Sequence, residues 1–208
     1  MKKSDIWDFW AKKYDKLWVQ RYSLTPTRNY ILNTLSAGVN KDANIKILDL
    51  GCGPGELIND ISNIFYNCDI TGVDFSEKML EISRQRNPES KHIKMDVEDL
   101  HHLNDKFNII ICTHSLPYYK TPEKVMEELS RLLEDDGRIY IGFASGDNMY
   151  DKFALSVVKI TTGPANYPSD EEFRKLIAPR FEVEKLKIIR EKPFMPRIAV
   201  YTLKKVMI

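Results

Sequence analysis

The chain has 208 residues, and its 31 lysines and arginines nearly balance 30 aspartates and glutamates, for a formal net charge of +1. This length suits one well-buried domain, and the even charge disfavours a nucleic-acid partner, because such partners select a basic stripe. No apolar run approaches the roughly 18 residues of a membrane span, and three scattered cysteines fit reduced thiols. We therefore expect a cytoplasmic protein without a membrane or metal partner.

The N-terminal region, residues 1–40, is predicted to form a helical cap. Apolar and aromatic residues at helical spacing predict a helix over 4–20, which begins at Ser4, and a second helix over 27–37 that ends near Gly38. An aromatic stripe at this spacing most often packs against a core, and we interpret Trp7 in that way.

Strands and helices alternate between residues 45 and 143. The pattern predicts strands at 45–50, 69–74, 91–95, 107–113 and 138–143, and helices at 56–66, 76–86 and 122–134, the last capped by Thr121. Alternation at this period predicts an α/β fold, a doubly wound parallel sheet with right-handed crossovers.

The C-terminal third departs from this regular alternation. Glycines and prolines interrupt residues 146–168, which we interpret as a variable insert with a short helix near 150–160. A helix over 170–178 follows Ser169, and strands at 181–189 and 198–204 form a closing hairpin within residues 169–208. The whole chain, 1–208, is thus predicted to be a single domain around a cofactor-binding core at 45–143.

A glycine-rich turn follows the first predicted strand. Residues 47–55 read Ile-Leu-Asp-Leu-Gly-Cys-Gly-Pro-Gly, so glycines stand at alternate positions between a strand and a helix. This spacing is neither the Gly-x-Gly-x-x-Gly of dinucleotide sites nor a P-loop. Glu56, at the first turn of the helix, would compete with a phosphate for the positive helix end. The turn therefore favours a nucleotide cofactor that places no phosphate there.

The stretch from Asp49 to Gly55 resembles motif I of the class I S-adenosylmethionine-dependent methyltransferases, in particular the UbiE-like and type 11 group. The resemblance covers residues 45–143 well and the flanks loosely. It implies a Rossmann-like seven-stranded sheet of order 3-2-1-4-5-7-6 with an antiparallel last strand. It also implies S-adenosyl-L-methionine as the cofactor and methyl transfer as the activity.

The predicted cofactor-binding residues lie at the carboxyl ends of the strands, where open α/β sheets bind ligands. Asp74 ends the second strand and is expected to accept the ribose hydroxyls. The resemblance implies that Asp49 lies near the methionine amino group, that Asp96 and Val97 read the adenine, and that Tyr14 reaches the methionine carboxylate. The full predicted set is Tyr14, Asp49, Gly51, Cys52, Gly53, Gly55, Asp74, Phe75, Met79, Asp96, Val97 and Thr113.

The segment after the fourth strand is expected to hold the catalytic residues, His114 and Tyr118. His114 is the candidate general base, because its ordinary pKa of about 6.5 suits proton removal near neutrality; contact with the cofactor, or simple packing, is the alternative. Tyr118 and Tyr119 line an acceptor pocket or cover the sulfonium, unless one of them is a core residue. Arg28 and Arg197 are candidates to hold an anionic substrate, although both are also consistent with ordinary surface arginines.

We expect the acceptor to be a small molecule. Ser115-Leu116-Pro117-Tyr118 is similar to a motif of methyltransferases that modify amino groups of nucleic acids or proteins, which is therefore an alternative. A non-catalytic cofactor-binding protein and a nicotinamide dehydrogenase are further alternatives. The acceptor itself and the oligomeric state stay open.

Overall fold

The computed structural model describes residues 7, 8, 11, 20–40, 42–193 and 195–206, apart from the side chains at 157 and 160–162. Most of the helix predicted over 4–20 lies outside these residues, and so does Tyr14. Within the described part, Trp7 and Asp8 are helical, and a π-helical turn, Gln20–Leu24, leads into the first long helix.

The centre of the molecule is a seven-stranded sheet of order β3-β2-β1-β4-β5-β7-β6. Strands β1 to β5 pair in parallel, whereas β7 runs antiparallel between β5 and β6. The predicted fold class, sheet order and antiparallel last strand are therefore confirmed. The strands are β1 Ile45–Leu50, β2 Cys68–Asp74, β3 Lys91–Lys94, β4 Phe107–Thr113, β5 Leu133–Ala144, β6 Phe181–Ile189 and β7 Ile198–Lys205.

Six α-helices flank the sheet in the described part of the chain. They are α1 Thr25–Gly38, α2 Glu56–Ser62, α3 Glu77–Arg86, α4 Pro122–Leu132, α5 Met149–Thr162 and α6 Asp170–Ile177. Short 3-10 helices, Val97–His102 and Leu116–Tyr118, follow β3 and β4. Ser169 and Glu172 form a capping box that fixes the start of α6, as the sequence predicts.

Three local predictions are wrong. Strand β5 begins at Leu133 rather than at residue 138, so residues 133 and 134, predicted to end the helix before it, belong to the strand. Helix α2 ends at Ser62 rather than at residue 66, with Phe65 buried in the turn that follows. Thr121 makes no side-chain cap for α4, because its hydroxyl donates to Glu98, which also accepts the Thr121 and Lys120 amides at 3.1 and 2.7 Å. This carboxylate joins the segment after β4 to the segment after β3.

The core has one hydrophobic layer on each face of the sheet. Along β4, Ile110 and Cys112 pack into one layer, and Ile109 and Ile111 pack into the other. A strand that is buried on both faces explains its unbroken apolar run. No helix in the described ranges is long and apolar enough to cross a bilayer.

Candidate active site

The glycine turn lies between β1 and α2 and depends on left-handed backbone. Gly51, Gly53 and Gly55 have φ angles of 71°, 53° and 75°, which residues with a Cβ adopt only at a cost. The Gly51 and Cys52 amides donate to the Val73 carbonyl at 2.8 and 3.1 Å. The turn is thus bonded to the end of β2, which brings it beside the acids of the neighbouring strands.

A matched pair of alanine variants tests this turn. A Cβ on Gly55 would lie 2.2 Å from Ser83 Oγ and 2.4 Å from Asn87 Nδ2, whereas a Cβ on Gly53 would meet nothing within 4 Å. In both variants an alanine in a left-handed conformation lowers the free energy of unfolding by about 1–2 kcal/mol. In Gly55→Ala alone, overpacking lowers it by roughly 1–3 kcal/mol more. We expect urea unfolding to show Gly55→Ala as the less stable of the two; equal stabilities would contradict the packing.

Asp74 occupies the end of β2 and faces the turn. Its Oδ2 accepts the Gly53 amide at 2.9 Å, and its Oδ1 accepts the Ser76 amide at 2.8 Å. Burial raises its pKa to about 6, and the hydrogen bonds from Ser76, Gly53 and Phe75 oppose that rise. Asp74 is therefore a positioned carboxylate, ionised at neutral pH, at the carboxyl edge of the sheet.

A cavity of about 330 Å³ opens along this edge. One side, which we term the β1–β3 side, is formed by residues at the ends of those strands: Gly51, Gly53, Val73, Asp74, Phe75, Met79, Met95, Asp96 and Val97. The other, the β4–β7 side, is formed by residues that follow β4 and β5 or lie next to β7, together with Trp7: Thr113, His114, Ser115, Pro117, Tyr118, Tyr119, Ala144, Leu155, Val158, Tyr167, Met195, Pro196 and Ile198. Ser23 and Leu24 complete the lining.

A smaller pocket of about 40 Å³ shares Leu24, Gly51, Gly53 and Thr113 with this cavity, and it contains Asp49. Asp49 is 1% exposed, and its Oδ1 has no hydrogen-bond partner. Burial raises its pKa to about 7, the Asp74 charge adds to the rise, and Arg28 opposes it. A buried carboxylate oxygen without a hydrogen-bond partner lowers the stability of the fold, and such an oxygen is suited to bind a cationic atom of a ligand.

His114 stands at the end of β4 in a left-handed conformation, with a φ angle of 58°, an uncommon state for a non-glycine residue. The Thr27 hydroxyl donates to the Ser23 carbonyl at 2.8 Å and lies 3.1 Å from His114 Nε2. Because Thr27 has a single hydroxyl proton, Nε2 is the donor to Thr27, and Nδ1 keeps its lone pair. Burial, and secondarily Arg28, lower the pKa of His114 to about 4, and a hydrogen bond with the Ser23 backbone opposes that fall. The imidazole is therefore neutral at physiological pH, but it is a weaker base than its ordinary pKa of about 6.5 led us to expect.

The hydroxyl of Tyr119 belongs to a small polar cluster beneath the cavity. Its oxygen lies 2.9 Å from Ser115 Oγ and 3.2 Å from Cys112 Sγ, and Ser115 Oγ donates to the Leu50 carbonyl at 3.1 Å. Burial raises the pKa of Tyr119 well above its usual value. The Ser115 hydroxyl thus links the segment after β4 to β1, and the Tyr119 hydroxyl contacts both Ser115 and Cys112 of β4.

The two arginines predicted for an anionic substrate are both paired with acids. Arg28 forms ion pairs with Glu56 and with Asp60, and it lies at the smaller pocket rather than in the main cavity. Arg197 pairs with Asp147 and is not part of the cavity lining, although its neighbours Met195 and Pro196 are. The loop before α5 thus supplies the acid that neutralises Arg197.

Most of the remaining predicted residues lie in the main cavity, but sequence reasoning missed one aromatic wall. Gly55 and Cys52 lie outside the main lining, Cys52 in the smaller pocket. The ring of Trp7, expected to pack in the core, instead meets Tyr118 edge to face, with centroids 5.4 Å apart. Leu155, Val158 and Tyr167 were not singled out either. The only signal for them was the position of the insert after β5.

The sheet order, the glycine turn and the strand-end acids define this protein as a class I S-adenosylmethionine-dependent methyltransferase. A family described as "methyltransferase domain" matches residues 41–177, more than half of the chain, and the chain belongs to this family. S-adenosylmethionine is accordingly its cofactor.

Individual relatives agree with this assignment. The chain is similar to the malonyl-[acyl-carrier protein] O-methyltransferase of Bacillus anthracis, with 29% identity over 109 residues that cover 51% of this chain and 40% of the relative. It is 30% identical to the ubiquinone biosynthesis O-methyltransferase of Glaesserella parasuis over 57% of this chain and 52% of that one. The matched segment thus spans about half or less of these curated relatives.

Solved structures agree on the fold. Magnesium protoporphyrin IX methyltransferase from Synechocystis PCC 6803, with bound SAH, superposes with a TM-score of 0.75 at 18% identity, over 97% of this chain and 99% of that one. The putative methyltransferase in a complex with the Haloferax volcanii Trm112 activator gives 0.76 at 16% identity, over 97% and 98%. At these identities the likeness shows a shared fold.

Proposed function

We propose that this chain transfers the methyl group of S-adenosylmethionine to a small-molecule acceptor and that both bind in the main cavity. The observation that carries the proposal is the cavity itself, which joins the glycine turn and Asp74 on one side to His114 and Tyr118 on the other. Methyltransferases that act on malonyl-[acyl-carrier protein] and on geranyl diphosphate are similar to this chain in sequence and in fold respectively, which supports an acceptor other than nucleic acid.

The residues present fit the cofactor. The partnerless Oδ1 of Asp49 suits the ammonium of the methionine moiety. Asp74 would hold the ribose. Phe75, Met79, Asp96 and Val97 would surround the adenine, and the turn supplies backbone with no Cβ in the way. Arg28, which is paired with Glu56 and Asp60, holds no anionic acceptor in this proposal.

When bound, S-adenosylmethionine supplies a methyl group on a positively charged sulfur, open to in-line attack. The chain orients the acceptor and excludes water through the apolar walls of the cavity. The aromatic ring of Tyr118 favours a nearby cation. His114, neutral at physiological pH and part of the cavity lining, accepts a proton if the acceptor must lose one.

Exchanging His114 for asparagine tests this role. If the imidazole takes the acceptor proton, His114→Asn is expected to lower kcat by about 10²–10⁴-fold, with affinity for S-adenosylhomocysteine within twofold of the wild type. His101→Asn, on an exposed histidine outside the cavity, is the control. A loss of affinity for S-adenosylhomocysteine would place His114 in cofactor binding instead.

The alternative of amino-group methylation is less well supported by the Ser115 environment. That motif needs its first polar side chain to accept from the amino group. Here the Ser115 hydroxyl donates to the Leu50 carbonyl and contacts Tyr119 and Cys112. A screen of small acceptors, proteins and nucleic acids with methyl-labelled cofactor tests the proposal, and label found in protein or nucleic acid alone would overturn it.

A further inference from the structure

The two sides of the cavity differ in charge. The carboxylates that line it, Asp74 and Asp96, both belong to the β1–β3 side, and no lysine or arginine is among the described lining residues. On the β4–β7 side, His114 is uncharged near neutral pH because its pKa is lowered to about 4. The β4–β7 side is therefore uncharged among its described residues.

Two arginines near this side are held by acids. Arg197 pairs with Asp147. Arg190 donates to both carboxylate oxygens of Asp151 at 2.9 and 3.1 Å, and Asp151 is fully buried at the start of α5.

The Lys159 ammonium lies 5.8 Å from the centroid of the Tyr167 ring and is exposed to solvent. An anionic group buried on the β4–β7 side would therefore have to break an arginine pair or draw on this exposed lysine, and burying an unpaired charge is strongly unfavourable.

The walls of the β4–β7 side are aromatic and aliphatic. Trp7 and Tyr118 meet edge to face at an interplanar angle of 85°, and the hydroxyl oxygens of Tyr118 and Tyr167 lie 3.5 Å apart. Leu155 and Val158 of α5 and Met195 complete the wall. Aromatic rings and a thioether pack well against a flat apolar ring, and phenol hydroxyls recognise an uncharged polar group.

Given the methyl-transfer function proposed above, we infer that the acceptor is an uncharged molecule with an aromatic ring, bound on the β4–β7 side between Trp7, Tyr118 and α5. The insert, residues 146–168, selects it through Leu155, Val158 and Tyr167. Acceptors that present a carboxylate or a phosphate to this wall are rejected.

Matched naphthalene probes test the inference by binding alone. With the protein saturated by S-adenosylhomocysteine near neutral pH, calorimetry compares neutral 2-naphthol with anionic 2-naphthoate. We expect 2-naphthol to bind at least about tenfold more tightly than 2-naphthoate. Equal or tighter binding of 2-naphthoate, or no binding of 2-naphthol, would overturn the inference.

The first titration in this series separates the two proposals. If S-adenosylhomocysteine itself does not bind, the methyl-transfer function fails. If it binds and 2-naphthoate is preferred to 2-naphthol, only the assignment of the acceptor class fails.

Two glutamate variants on α5 locate the probe. Leu155 is 2% exposed and lines the cavity, whereas Phe153, two residues away, is 70% exposed and does not line it. Leu155→Glu is expected to lower 2-naphthol affinity at least about tenfold, with S-adenosylhomocysteine affinity unchanged, and Phe153→Glu should change neither. If Leu155→Glu fails to fold, the partly exposed Tyr167→Ala serves instead. Loss of S-adenosylhomocysteine affinity, or unchanged 2-naphthol affinity, in the folded cavity variant would contradict the assignment.

Discussion

Replacing Asp74 with alanine is expected to weaken binding of S-adenosylhomocysteine by about 2–3 kcal/mol, which is roughly 30- to 150-fold, because a charge-assisted contact to the ribose hydroxyls is lost. The structure adds a second reason. Asp74 accepts the Gly53 amide, so the variant also leaves the glycine turn without the group that orders it. Calorimetric titration measures the affinity directly.

Asp69→Ala is the matched control for this variant. Asp69 lies near the opposite end of the same strand, β2, and its side chain is exposed. The Asp69→Ala variant should bind S-adenosylhomocysteine as tightly as the wild type does. If Asp74→Ala binds S-adenosylhomocysteine as tightly as Asp69→Ala does, Asp74 does not contact the cofactor.

Exchanging Asp49 for asparagine is expected to change stability and binding in opposite directions. The pKa of Asp49 is about 7 in the folded chain, against about 3.8 when exposed. The unfolded chain therefore binds fewer protons between these values, and this group lowers stability as pH rises from about 4 to 7. The asparagine variant avoids that loss, so its free energy of unfolding should exceed the wild type's at pH 8 by on the order of 2–4 kcal/mol, and the gain should vanish near pH 4.

Binding by the same variant should be weaker. In the proposed site the Asp49 carboxylate binds the ammonium of the methionine moiety, and its loss is expected to cost about 2–3 kcal/mol of binding free energy. In the wild type, affinity should fall as pH drops below about 7, by up to tenfold per pH unit, while the variant should lack that dependence. Asp42→Asn, on an exposed loop, is the control. A variant that is less stable at pH 8, or that binds as tightly as the wild type, would contradict the assignment of Asp49.

The sheet could be predicted from sequence because its signals are local and mutually consistent. Runs such as Phe107–Thr113 are apolar throughout, as a strand buried on both faces requires, and glycines or prolines mark the turns. The order of the last strands came from the family resemblance. The errors concern ends, where tertiary contacts decide: Thr121 prefers the Glu98 carboxylate of a neighbouring loop to its own helix, and no pattern within the helix signals that.

The cofactor side could be predicted for a topological reason. Parallel strands end at one edge, so Asp74 and Asp96, which are far apart in sequence, had to meet the glycine turn. The structure places them in one cavity, while their individual contacts to the cofactor stay predictions.

The acceptor side could not be predicted, because it depends on how α5 is rotated and on what pairs with each arginine. Leu155 faces the cavity and Phe153 faces solvent, although both are apolar residues of one helix. Arg197 was a reasonable anion ligand from topology, but an acid at Asp147 neutralises it. Pairing between distant charges has no sequence signature.

The proposed methyl-transfer function depends most directly on which cofactor binds in the main cavity. Calorimetry with S-adenosylhomocysteine and with NAD, on the same wild-type protein near pH 8, decides this point. We expect one S-adenosylhomocysteine to bind per chain and NAD to give no saturable heat. Binding of NAD without binding of S-adenosylhomocysteine would contradict the account.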